Sequence, residues 1–206
     1  SGLLLALPAW LASELRAAIG VPVRYLVSPP ATTRPVALAG TPADDGATAW
    51  DLSIDYADDR ALTVVPETPD GHWFAADFPA PGAFVTPFDP GGRILSVGLA
   101  ADDDLYLLGV ASAASDPPEG RTLLVYDAPV LVLRLPVEVG SEHVAVGRIT
   151  GGVAQGLPFA GQDVYDVRVD AIGTLDLPQL SFDQVHRVTT HVTVQPAVGA
   201  STTAFL

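Results

Sequence analysis

Tyr165–Val169 and Gly173–Leu177 run through Pro178 into Phe182, Val185 and the stretch Arg187–Val194, and this last third of the 206-residue chain decides the fold. β-Branched and aromatic residues recur at every second position, and a proline breaks the pattern once. That predicts two long antiparallel strands joined by a short loop. Upstream, strand-sized segments follow at short intervals: Ala49–Tyr56, Ala61–Val65, His72–Ala76, Ala83–Thr86, Arg93–Leu99, Leu105–Ala111, Arg121–Tyr126, Val130–Leu135 and Val144–Ile149. Turn signals separate many of them, among them Pro69-Asp70-Gly71, Asp89-Pro90-Gly91-Gly92, Asp116–Gly120 and Asp127-Ala128-Pro129. A Gly-rich connection through Gly151, Gly152, Gly156 and Gly161 leads into the terminal pair. The expected class is mainly β, an antiparallel β-sandwich or half-open barrel.

No linker divides residues 1–206, so they are read as one β-rich domain, and no repeat of solenoid or propeller period appears. Residues 1–20 are expected to form a short N-terminal helix, with Pro8 near its start, an apolar stripe of Leu11, Leu15, Ala18 and Ile19, and Gly20 as its stop. The competing reading of Leu3–Leu7 is the tail of a signal-peptide core, but no basic segment precedes it. Residues 21–47 hold Pro22, Pro29, Pro30, Pro35 and Pro42, which restrict them to edge strands and loops. No apolar run reaches the ~18 residues of a membrane-spanning helix, so no transmembrane segment is expected. Lacking any Met, the chain is expected to have been processed or cut before Ser1; ending soon after a strand, it is expected to continue past Leu206.

Composition excludes several functions. There is no Cys, which removes disulfides, thiolate metal sites and cysteine nucleophiles. A net charge of −14 with no Arg cluster repels phosphate backbones, so no nucleic-acid partner is expected. All ten basic residues are Arg, and Lys and Asn are absent; this reflects a GC-rich coding bias and leaves no N-glycosylation acceptor.

Tyr126-Asp127-Ala128-Pro129, then Leu135-Pro136 with Gly140 beyond, Tyr165-Asp166-Val167, Gly173-Thr174-Leu175-Asp176-Leu177-Pro178 and Val185-His186-Arg187-Val188 form an ordered series. The series, over residues 121–195, resembles exported β-rich proteins of unassigned function from Gram-negative bacteria, which often carry surface-sorting tails. The resemblance implies export and a β fold, and implies no reaction; the sorting tail has no counterpart here. The terminal hairpin is also similar to those of periplasmic half-barrels that hold lipids or lipoproteins in an apolar concavity. That implies a curved sheet whose concave face is apolar and free of the protein's own helices.

Candidate chemistry is sparse. Asp102, Asp103 and Asp104 form the densest carboxylate group, and calcium takes oxygen ligands from such loops. On an extended segment consecutive carboxylates alternate faces, so a solvated turn is the preferred reading, and no cofactor is expected beyond this calcium alternative. His186 and His191 are an odd five positions apart and fall on opposite faces of one strand, which prevents shared metal binding. Asp166, Arg168 and Asp170 share a strand face opposite Tyr165, Val167 and Val169, which reads as charge balance on a solvated face rather than an acid–base pair. Trp73, Phe74 and Phe78 lie close in sequence; exposed, they would stack on a sugar or peptide, although core packing is the default for aromatics in β proteins. No nucleophile elbow, zinc-protease helix or phosphate loop occurs, and no catalytic residue is assigned.

The chain is thus expected to be a non-catalytic binding or structural module, exported to the cell surface, the extracellular space or the periplasm. Its partner would be another protein or a second copy meeting a strand edge. The alternative is a periplasmic carrier of a lipid or other apolar ligand, and a hydrolase with residues assembled only in space ranks third.

Overall fold

A computed structural model describes residues 23–27, 41–42, 48–51, 53, 60–89, 91–101, 104–177 and 180–205. The helix expected over 1–20 lies outside them. Within the proline-rich segment the described parts are two strands, β1 (Val23–Val27) and β2 (Thr41–Pro42), followed by β3 (Thr48–Asp51) and β4 (Arg60–Val64). β1 pairs antiparallel with β4 as a small separate sheet.

The rest of the fold is one antiparallel meander. β5 (Ala83–Pro87), β6 (Ile94–Ala101), β7 (Asp104–Ser112), β8 (Leu123–Arg134), β9 (Glu142–Ala154), β10 (Leu157–Leu177), β11 (Leu180–Pro196) and β12 (Thr202–Phe205) lie side by side in chain order. These eight strands curl into a half-barrel, and no helix of seven or more residues occurs among the described residues. The expectation of a mainly β chain is met, in its half-open barrel form. The terminal pair is longer than its sequence core suggests: β10 has 21 residues and β11 has 17. At about 3.3 Å per residue β10 has a contour of roughly 70 Å. β9 pairs with it only as far as Arg168, and beyond that β3 takes over the same edge in parallel, Thr48–Asp51 against Gly173–Asp176.

Three local expectations are corrected. His72–Ala76 is no strand: it turns, and Ala75–Asp77 forms one turn of 3-10 helix that carries Phe74 and Phe78 onto the sheet. Asp127-Ala128-Pro129 does not end a strand. Val125 pairs with Gly109 and Val130 with Leu107, so Tyr126–Pro129 bulge out of a continuous β8 opposite Leu108 alone. Most of the Gly-rich connection is strand, and the chain reverses only at Gln155-Gly156, both at positive φ (48° and 77°), as a type I′ hairpin turn needs.

The sheet buries apolar residues on both faces. Over β5–β7, Phe74 and Phe78 pack with Val85, Leu95, Val97 and Ala111. The other face carries a core drawn from five strands: Leu107 of β7, Tyr126 and Val130 of β8, Ile149 of β9, Tyr165 and Val167 of β10, and Val192 of β11. Leu133, Val137 and Val169 extend the buried apolar set. A separate small core of Trp50, Leu175 and Val185 serves the far end of the β10–β11 hairpin.

Candidate functional site

Gly147 organises the centre of the five-strand core. It pairs with Asp163 across β9 and β10, and a Cβ placed on it would meet the Tyr126 ring and Val130 at 2.6 Å. Without that side chain, the Tyr126 ring lies across β9 and its hydroxyl reaches β10. Next-but-one strands of a flat sheet lie about 9.5 Å apart; here Cα atoms of β8 and β10 come within 8 Å. The two strands therefore come closer than in a flat sheet, in keeping with the curl of the half-barrel.

The reach ends in a buried polar cluster. Tyr126 Oη donates to Asp163 Oδ2 at 2.5 Å and lies 2.8 Å from Tyr165 Oη. With the carboxylate ionised, the single Tyr126 hydrogen goes to it, so Tyr165 donates to Tyr126, and the order is Tyr165 to Tyr126 to Asp163. The rings meet edge to face, with centroids 6.5 Å apart. Asp163 is 8% exposed, and its other oxygen, Oδ1, is buried with no hydrogen-bond partner. Burial pushes the Asp163 carboxyl above its ordinary range, opposed in part by the Tyr126 hydrogen bond. Burial likewise raises Tyr165 to about 12 and lifts Tyr126 further, with the neighbouring Tyr165 and Asp163 adding to the effect on Tyr126. Both phenols are neutral donors at any physiological pH.

The residues singled out by sequence lie elsewhere. Phe74 (0% exposed) and Phe78 belong to the core over β5–β7, while Trp73 packs against it, donates Nε1–H to the Ser112 carbonyl at 2.8 Å and carries the Arg121 guanidinium 5.0 Å from its ring centroid. The three do not form an exposed stacking platform. Asp102 and Asp103 lie outside the described residues. Asp104 uses its carboxylate internally, accepting from the Leu135 N–H (3.3 Å) and the Tyr106 hydroxyl (3.4 Å). Among the described residues no three His, Asp or Glu side chains gather into a metal site. The strand register sets His186 against Ile172 and His191 against Asp166, with no bulge of β11 between them, which keeps the histidines on opposite faces.

The exposed face of β9–β11 follows its alternation. Arg168 forms a two-pronged contact with Asp166 (3.1 and 3.2 Å) and lies 4.0 Å from Glu142, whereas a register shift turns Asp170 to Arg187 of β11 at 2.6 Å. Asp163 was not singled out from the sequence. Its signal is the phase of the strand: Asp163, Tyr165, Val167 and Val169 fall at alternate positions, so a carboxylate occupies an inward place in an otherwise apolar series.

Comparison of the chain with protein families, curated proteins and solved structures finds no match.

Proposed function

We propose that this protein is a non-catalytic, exported binding or structural module that associates through the open edge of its half-barrel. The observation that carries this reading is the outer edge of β11. β12 covers only His191–Val194, so among the described residues Leu180–Thr190 has no strand partner on that side. The opposite edge of the meander is less open, because Glu67 bridges Val85 of β5 through paired backbone hydrogen bonds of 3.2 and 2.7 Å. Leu180–Thr190 contains neither Pro nor Gly and balances one Asp against one Arg within a chain of net charge −14. A locally neutral strand edge with no neighbouring strand among the described residues offers backbone donors and acceptors to an added strand. Leu180, 58% exposed, adds apolar surface at one end. The burial of the Tyr126–Tyr165–Asp163 cluster supports the non-catalytic part, since Tyr126 spends its hydroxyl on the other two side chains within the sheet. The resemblance over residues 121–195 supports export to the cell surface, the extracellular space or the periplasm.

The test is a photo-crosslinking residue at Ser181 or Asp183 of the edge, with Glu138 in the exposed turn before β9 as control, irradiated in the source cells. Discrete adducts from the edge positions alone are the expected result. Absence of adducts, or equal labelling from the control, overturns the reading. The second reading, carriage of an apolar ligand, is favoured by the half-barrel form of the sheet; native mass spectrometry of protein purified from its source would then show a stoichiometric lipid-sized mass.

A further inference from the structure

The cluster at Asp163 combines three features that a purely structural contact does not need: a carboxyl group, nearly complete burial, and one oxygen without a partner. The groups that face it come from four strands. β8 contributes Tyr126 and Leu124; β9 contributes Gly147 between Ala145 and Ile149; β10 contributes Tyr165; β11 contributes Val192 and Val194, the latter directly opposite Asp163. Among the described residues no cation faces the carboxyl. Arg148, Asp166, Arg168, Glu142 and His191 stand at the alternate, outward positions of their strands, and His143 lies farther along β9, opposite Val167, its ring engaged with the Leu131 carbonyl at 3.3 Å.

The two protonation states of Asp163 fit this setting unequally. With a proton on Oδ2, the hydrogen-bond order reverses without moving a heavy atom: Asp163 donates to Tyr126, and Tyr126 donates to Tyr165, whose own hydrogen then finds no acceptor within the cluster. Oδ1 is then a neutral carbonyl-type oxygen, and leaving it unpaired against apolar groups costs less than leaving a charged one there. When the carboxyl ionises, Tyr126 donates to Oδ2, but half of the negative charge sits on Oδ1, which no donor reaches. The charge is relieved by admitting water, and parting β8 from β10 over Gly147 would admit it.

We infer that the buried Tyr126–Asp163 cluster is a pH-sensitive latch, which holds β8 against β10 while the carboxyl keeps its proton and loosens the curl of the half-barrel as the carboxyl ionises, because the charge left on the unpaired Oδ1 outweighs the stronger hydrogen bond from Tyr126. The sign follows from linkage. The folded state holds the proton more tightly than the unfolded chain, so the latch's contribution is present in full below about pH 4, where an unfolded aspartate is protonated as well. It is lost as the pH rises through the folded-state value. Opening would expose the apolar five-strand core, so the latch bears on any binding there, while standing independently of the edge association proposed above.

The experiment is thermal unfolding between pH 4 and 8 of the intact protein and of Asp163→Asn, which keeps the shape of the side chain but cannot ionise. The wild-type Tm is expected to fall relative to the variant's by about 3 °C or more over this range. ANS fluorescence is expected to rise with pH in the wild type and to stay level in the variant. Parallel Tm curves, or equal ANS responses, overturn the inference. Should Asp163→Asn not fold, carboxyl-carbon NMR of wild-type protein labelled at aspartate decides: one carboxyl titrating above the rest supports the latch, and a set that all titrate at or below about pH 4.5 refutes it.

Discussion

The two halves of the β10–β11 hairpin are built from the same alternating pattern and held by different means. In the near half, Gly161–Val169 lies between β9 and β11 and sends Tyr165, Val167 and Val169 into cores shared with other strands. In the far half, Ala171–Leu177 has outrun β9, and its flank is covered by the four residues of β3. Its core is Trp50, Leu175 and Val185, with Ala171, Leu177 and Phe182 at the margin. A strand pattern alone does not determine stability; the near half draws on several strands for each buried residue, the far half on one tryptophan. The two should respond differently to comparable substitutions, the first globally and the second locally.

Trp50→Ala is the sharpest way to break this contrast. Trp50 is 3% exposed, and its ring also lies 5.9 Å from the Arg187 guanidinium. Removing a buried aromatic of this kind costs about 4 kcal/mol. The loss is expected to fall on the far half: amides of Gly173–Leu177 and Leu180–Val185 lose hydrogen-exchange protection while those of Tyr165 and Val167 keep theirs. Uniform loss along β10 would show that the hairpin is a single cooperative unit. Gly173 is a second lever on the same contact, because a Cβ there would overlap the Thr48 carbonyl oxygen, and Gly173→Ala should release β3 with the same local signature.

Gly147→Ala tests the near half. The added methyl meets the Tyr126 ring and Val130 at 2.6 Å, so the ring must move and its hydroxyl leaves Asp163. Overpacking of this kind costs about 2–3 kcal/mol. Because the contact joins β8 to β10 across β9, the whole curled body should lose stability, read as a drop in the global Tm with no separate transition for the far half.

Much of the near half was legible because β-sheet alternation is a local property. Tyr165, Val167, Val169, Val192 and Val194 announce their face by parity, and the β5–β7 strands are read from the same kind of pattern. What parity cannot encode is the partner. The addition of β3 in parallel to β10 joins residues more than 120 positions apart, and no local signal marks Trp50 as the core of a distant hairpin. Asp127-Ala128-Pro129 carries turn residues, yet the chain uses them for a bulge that re-aims Tyr126 within an unbroken strand. His72–Ala76 has the aromatic content of a strand, but Phe74 and Phe78 are delivered to the core from a turn. The Asp163 cluster was half visible: the carboxylate stands at an inward position, but its meaning depends on a tyrosine 37 residues away in sequence and on a glycine that lets the ring pass.

Tyr126→Phe sharpens the role of the cluster at smaller cost. The ring remains to pack over Gly147, while Asp163 loses its hydrogen bond at Oδ2 and becomes a buried carboxyl with neither oxygen bonded to Tyr126. A loss of about 1–2 kcal/mol is expected. Since that hydrogen bond favours the charged carboxylate, its removal should push the Asp163 titration further upward and enlarge the decline of Tm with pH. A Tm decline unchanged from wild type would show that Tyr126 holds the ring in place without sensing the carboxyl.

Asp166→Asn is the smallest expected effect and completes the comparison across the thickness of the sheet. Asp166 and Asp163 are carboxylates three positions apart on the same strand, facing opposite sides. Asp166 has the better-formed contacts, a two-pronged pair with Arg168 in which one oxygen accepts at 3.2 Å and the other at 3.1 Å. It nevertheless stands in water, with a side chain 34% exposed beside an Arg168 side chain that is 59% exposed. Solvent screening and the entropy of holding two exposed side chains together cancel most of the attraction in such a pair. Asp166→Asn should leave the Tm within error of wild type at both low and high salt, although it removes two hydrogen bonds to a cation, whereas Asp163→Asn, which alters a single hydrogen bond to a phenol, should change the pH dependence of the whole fold. The number of partners does not rank the two carboxylates; the medium around the unpaired oxygen does.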